Sequence, residues 1–175
     1  MSWQLKPYGG NEATSAIGIE IEVSRPGNQI LELRYTVRGP IDALIVPQRT
    51  TSGRADNLWQ TTCFELFLGE QGEAYREVNF SPSGEWAAYA FNSYRAGMRE
   101  APANVAIDVE CDHQVLTLTA KLSINLNAVT SLGLTAIIEE QGGRKSYWAL
   151  AHPAIAPNSP PDFHDSSCFV ARLPE

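Results

Sequence analysis

Residues 17–40 read IGIEIEVSRPGNQILELRYTVRGP. Ile17, Ile19, Ile21 and Val23 alternate with Gly18, Glu20 and Glu22. Leu31, Leu33, Tyr35 and Val37 alternate with Glu32, Arg34, Thr36 and Arg38. A period of two sends every second side chain to the same face, so each run is a strand with one face in a core and one in water. Arg25-Pro26-Gly27-Asn28 between the runs and Arg38-Gly39-Pro40 after them are turn chemistry.

The same alternation returns further along. Val105, Ile107, Val109 and Cys111 alternate with Ala106, Asp108 and Glu110, and Leu116, Leu118, Ala120 and Leu122 with Thr117, Thr119 and Lys121. Further strands are expected near Leu44–Val46, Trp59–Leu68, Tyr75–Ser81, Glu85–Asn92, Leu132–Glu139, Lys145–Leu150 and Cys168–Leu173. No segment carries a sustained stripe of helical period; a helical turn is expected only near Asn125–Ser131. About ten short strands, with no helices to cover them, must bury their faces against another sheet. The expected class is all-β, a β-sandwich of jelly-roll or Greek-key type, with a closed lipocalin-like barrel as the alternative. No repeat or linker divides residues 1–175, so a single domain is expected.

Composition narrows the partners. The 175 residues are 43% hydrophobic and 19% charged, with a formal net charge of -7. No cluster of Lys or Arg stands out, which argues against nucleic acid or an anionic membrane as partner. Met1–Asn11 has no basic head followed by an apolar stretch, and no apolar run is long enough to span a bilayer. Cys63, Cys111 and Cys168 form no CxxC pair or disulfide ladder, so a reduced, cytoplasmic setting is expected. Cys111, in phase with Val109, is expected to be buried.

The block from Arg54 to Met98 suggests a ligand surface. It reads RADNLWQTTCFELFLG, a polar turn, then YREVNFSPSGEWAAYAFNSYRAGM. Read as strands, Phe64, Leu66 and Leu68 face the core, while Trp59, Thr61, Cys63, Glu65 and Phe67 face the other way. Likewise Val78 and Phe80 face the core, and Tyr75, Glu77 and Asn79 share the opposite face. If these strands pair, Trp59, Glu65, Glu77 and Asn79 line one surface. An aromatic plate beside fixed hydrogen-bonding groups suits a polar ring-shaped ligand. Glu65 and Glu77 read equally as solvated or paired with Arg76 or Arg95, and Trp59 as an edge cap. In KSYWALAHP either Trp148 or Tyr147 turns away from the core, and Trp86, flanked by alanines, reads as core. Residues 152–165, HPAIAPNSPPDFHD, are too rich in proline for a central strand and form a stiff loop carrying His152, Asp162, Phe163 and His164.

Catalytic readings are open at this point. Glu65 with Glu77 invites glycoside chemistry, and Asp162, His164 and His152 invite acid–base or metal chemistry. No spaced Cys/His cluster supports a metal, and no GxSxG elbow activates Ser166, Ser167 or Cys63. A protein-interaction module using a sheet edge is a further alternative.

FELFLG followed by YREVNFSPSGEWAAY, with YWALAHP and PDFHD, resembles the DOMON-like superfamily, specifically bacterial DOMON-like proteins related to family 9 carbohydrate-binding modules. The resemblance runs from about the second strand to the C-terminus. It implies a jelly-roll sandwich and a non-catalytic role, with a sugar gripped between two aromatic side chains and hydrogen-bonded by acids, amides and Arg. Trp59 with Glu65 matches one half of that grip, and Trp148 is the candidate for the other. Arg54, Arg95, Glu77 and Asn79 are the implied hydrogen-bonding partners. Some relatives bind haem through Met and His; Met98 and His152 are the pair available here, and no motif places them together. Calcium, carried by some family 9 modules, maps to no residue set. The expected ligand is thus a carbohydrate-like small molecule, with no cofactor assigned.

Overall fold

In the computed structural model, which describes residues 1–9, 16–154 and 159–175, the two opening runs become β2 (Gly18–Gly27) and β3 (Ile30–Arg38), paired antiparallel. Their apolar positions are buried and their polar positions reach solvent, as the alternation requires. β9 (Asn104–Cys111) and β10 (Val115–Ser123) extend this half, β10 pairing with both β3 and β9. The other half comprises β4 (Gly53–Arg54), β5 (Cys63–Glu70), β6 (Tyr75–Phe80), β7 (Glu85–Phe91), β8 (Arg99–Glu100), β11 (Val129–Glu139) and β12 (Lys145–Ala149).

β1 (Ser2–Pro7) joins the halves. Ser2 to Leu5 pair with β2, and Lys6 and Pro7 pair with Ala149 and Trp148 of β12. Among the described residues the result is one twelve-stranded sheet in the order β4-β7-β6-β5-β11-β12-β1-β2-β3-β10-β9, with β8 against β7. Among the described residues the path is open, with β4 and β9 at its ends and no closure into the alternative barrel. The sheet curls, and both halves bury their apolar faces in one core that includes Ile21, Leu33 and Leu118 from one side and Leu66, Val78 and Leu134 from the other. Tyr35 of β3 crosses that core: its ring lies 4.8 Å from Phe64, and its hydroxyl donates to the Glu65 carbonyl at 2.7 Å.

Several expectations are corrected. Leu44–Val46 is not a strand; Leu44 makes one isolated bridge after a 3-10 turn at Ile41–Ala43 and is apolar because it packs in the core. Cys168–Leu173 is likewise non-strand, with a 3-10 turn at Ser166–Cys168 and one bridge at Ala171. Near Asn125–Ser131 a tight turn at Asn127–Ala128 leads straight into β11. Cys111 is exposed, because β9 is an edge strand and its inner face leaves the core towards its end. Trp86 is half-buried and packs against the core. In the proline-rich loop, residues 155–158 lie outside the described residues.

β5 differs from the alternating strands: every residue from Cys63 to Gly69 is buried, so both of its faces are covered. One face meets the core. Over the other, Phe163 and Phe169 of the C-terminal segment pack with Phe67, Tyr75, Phe91, Ile137 and Ala149 into a second apolar cluster. This outer layer builds the candidate site.

Candidate functional site

The ladder registers give the composition of the outer face. One row across it runs Ala87, Asn79, Glu65, Thr135, Ala149, from β7 to β12. The neighbouring rows bring Tyr89, Glu77, Phe67 and Gly133 on one side and Cys63, Ile137 and Tyr147 on the other. Ala87, Asn79, Thr135 and Ala149 are short, and with Tyr89, Phe67 and Tyr147 in the flanking rows they leave a hollow over Glu65. Trp59, Arg95 and the segment Pro160–His164 wall it in, enclosing a cavity of about 580 Å3.

Five of the residues singled out by sequence line this cavity: Trp59, Glu65, Glu77, Arg95 and His164. Trp59 arrives differently from expected. It stands on a 3-10 turn, Leu58–Gln60, not on the β5 strand, and it is 51% exposed. Asn57 in left-handed conformation (φ 63°) starts the turn, and Leu58 tucks against Cys63 and Ala87, which holds Trp59 at the rim. Arg95 is also left-handed (φ 51°), in the turn Ser93–Ala96.

Trp148 is a correction. It is 5% exposed and belongs to the core, with Nε1 donating to Ser146 Oγ at 2.9 Å. β12 can turn only one of its two adjacent rings outward, and that ring is Tyr147, which lines the cavity. The two indoles therefore do not face each other. Phe67, Tyr89, Phe91 and Phe163 also line it and were not proposed as ligand contacts; Met98, named only for haem, lines it too. Tyr89 and Phe91 could have been found from the parity of β7 once Ala88 was placed in the core.

The remaining candidates lie behind or beside the walls. Asn79 donates its amide to Glu77 Oε1 at 2.8 Å and so positions that acid. Asp162 clips the C-terminal segment to the Ser93–Ala96 turn: it accepts from Arg95 Nη2 at 2.8 Å, from the Tyr94 hydroxyl, and from the His164 backbone N–H at 3.1 Å. Arg54 pairs with Asp56 and Glu100 outside, with its guanidinium 5.4 Å over the Tyr89 ring. His152 donates from Nε2 to the Lys6 carbonyl at 2.7 Å, next to Tyr8, and does not line the cavity. Met98 lines it without His152, so the proposed haem pair is not assembled. Among the described residues, no three His, Cys, Asp or Glu side chains group as a metal site.

Electrostatics set the acids apart. Glu65 is 3% exposed and Glu77 is 7% exposed. Burial, reinforced by the neighbouring Glu77, pushes the Glu65 carboxyl up to about 8, even though Thr135 donates to its Oε2 at 2.8 Å. Burial also raises Glu77, against the opposing pull of Asn79 and Arg95. His164 is pushed down to about 4 by burial and by Arg95, so it is neutral at neutral pH. A relay fixes its ring: the Arg95 N–H donates to the Tyr75 hydroxyl at 3.2 Å, and that hydroxyl lies 2.7 Å from His164 Nδ1. With Tyr75 donating to Nδ1, Nε2 carries the proton and points towards Glu77 Oε2, 3.6 Å away.

The raised Glu65 makes the stability of the fold depend on pH. Its folded-state value of about 8 lies above its ordinary 4.5, so the folded state resists ionisation and stability is lost as pH rises between the two. Glu65→Gln removes that loss. Relative to wild type it is expected to melt similarly at pH 4 and several degrees higher at pH 9, the gap opening between. Thermal melts across that range check it; an unchanged gap would mean that Glu65 ionises without cost.

No family model matches the chain, and no curated protein matches it. Among solved structures, a protein from Bacteroides uniformis ATCC 8492, described as a "putative carbohydrate-binding protein", superposes with a TM-score of 0.63 at 12% identity, over 99% of this chain and 85% of that one. At that identity the similarity is one of fold: this all-β architecture is shared along nearly the whole chain.

Proposed function

We propose that this protein is a non-catalytic binding module for a small carbohydrate-like ligand held in the outer-face cavity. One observation carries the reading: a hollow of about 580 Å3 joins aromatic walls to buried, hydrogen-bonding acids. That volume and that mixture are those of a small-molecule site. The C–H faces of a sugar ring stack on Trp59 and Tyr147, and Glu65, Glu77 and Arg95 orient its hydroxyls. Tyr147 thus takes the part that the family resemblance gave to Trp148. The fold neighbour's description is of the same kind. We read the curled sheet accordingly as a jelly-roll sandwich of DOMON-like type. The three free cysteines fit a reducing, cytoplasmic setting.

Titration with a panel of mono- and disaccharides, neutral and aminated, followed by calorimetry and tryptophan fluorescence, tests this. A saturable response is expected that Trp59→Ala and Tyr147→Ala each weaken by about tenfold, the scale of one lost stacking contact. No response at millimolar ligand, or full affinity in both variants, would contradict it. A second reading is favoured by Glu65 alone: a buried carboxyl still protonated at neutral pH can act as a general acid on a glycosidic oxygen. Turnover of aryl glycosides by wild type, abolished in Glu65→Gln, would put that reading first.

A further inference from the structure

The cavity holds two acids and no cation free to pair with them. Glu65 and Glu77 bring two carboxyl groups, each on a side chain more than nine-tenths buried. Each has one oxygen in use: Thr135 donates to Glu65 Oε2, and Asn79 to Glu77 Oε1. Glu65 Oε1 receives no hydrogen bond from the described residues, and Glu77 Oε2 has only His164 Nε2 at 3.6 Å, too long for one. The lining side chains able to carry positive charge are Arg95 and His164. Arg95 is committed to Asp162 at 2.8 Å, and the Nδ1 of His164 is held by Tyr75. Burial without a counter-charge holds such groups towards their protonated form, and an arriving cation favours their ionisation and pairs with the charge.

The walls favour the same visitor. Trp59, Phe67, Tyr89, Phe91, Tyr147 and Phe163 surround the acids. Aromatic faces are negative and attract ammonium groups, most strongly where water is excluded. Arg54, poised 5.4 Å over Tyr89 from outside, already uses that ring as a cation platform. A neutral polyol would donate hydrogen bonds to the free oxygens but would supply no counter-charge to either acid.

We infer that the cavity takes a ligand bearing an ammonium group, an amino-substituted polar ring whose cation sits on Glu65 and Glu77 inside the aromatic walls. This rests on the carbohydrate-binding reading above and narrows it.

The test compares calorimetric affinities at pH 7 for three hexosamines (glucosamine, galactosamine, mannosamine), their parent hexoses, their N-acetyl derivatives and choline. At least one hexosamine is expected to bind about tenfold or more tighter than both its parent hexose and its uncharged N-acetyl form. Glu77→Gln should erase that preference, bringing the hexosamine down to the affinity that the same variant shows for the parent hexose. Should Glu77→Gln fail to fold, judged by its melting transition, Glu65→Gln serves in its place. Equal affinity for hexosamine and hexose would overturn the inference and leave the carbohydrate reading standing. Tight choline binding without any sugar response would uphold the cation site and overturn the carbohydrate reading. No binding of any of these compounds would overturn both.

Discussion

Trp148→Ala is expected to destabilise the fold by about 3–5 kcal/mol, the usual loss for truncating a buried tryptophan. In a chain of this size that lowers the melting temperature by roughly 10 °C. Trp148 is 5% exposed, packs in the central core, and sits where β12 meets β1 through the Trp148–Pro7 pair, the seam joining the halves of the sheet. Trp148→Phe keeps most of the volume but strands the buried Ser146 hydroxyl, which accepts from the indole, so it should cost about 1–2 kcal/mol. Urea unfolding of the three proteins checks both values. Ligand affinity, measured on folded protein, should not change, because the ring lies on the far face of β12 from the cavity. Normal stability with lost binding would return Trp148 to the site.

Gly133→Ala is the second large effect. Gly133 lies beside Phe67 in the ladder, and a Cβ there would sit 2.6 Å from Phe169 Cδ1 and 3.1 Å from Phe67 Cβ. Phe169 and Phe67 stack at 5.3 Å with their planes 20° apart, and that stack anchors the C-terminal segment over the outer face. The added methyl forces the rings apart, at an expected cost of about 1–3 kcal/mol. The urea midpoint should fall with an unchanged slope. A small gain in stability instead, the ordinary result of replacing a strand glycine, would mean that Phe169 is not seated there. Because Phe67 also lines the cavity, weaker ligand binding should accompany the loss.

The sequence spoke clearly where one face of a strand meets water. β2, β3, β9 and β10 alternate because solvent selects every second residue. β4 and β8, at two residues each, are too short to show a period, and β1 offers only Trp3 and Leu5 between the polar residues of SWQLKP, too few to mark a strand. Leu44 and Ala171 are apolar because they are buried, and each makes a single isolated bridge, so burial alone does not mark a strand. The acids of the site followed from parity: Glu65 and Glu77 lie across the β5–β6 ladder from Asn79 and Phe67. Parity also left Tyr147 and Trp148 equivalent, since it separates two faces without saying which is the core. Nor could it foresee the 3-10 turn that lifts Trp59 to the rim, or that the C-terminal segment would roof the cavity through Asp162 and Phe163.

Ligand is expected on the outer face of β5, β6 and β12, under the C-terminal segment. Crystals soaked with the best-binding sugar of the panel test it most directly. Ring-shaped density between Trp59 and Tyr147, within hydrogen-bonding distance of Glu65 or Glu77, is the predicted result. Density seated instead in the shallow groove between Tyr75, Asn92 and Asn125, with this cavity holding only water, would contradict the account.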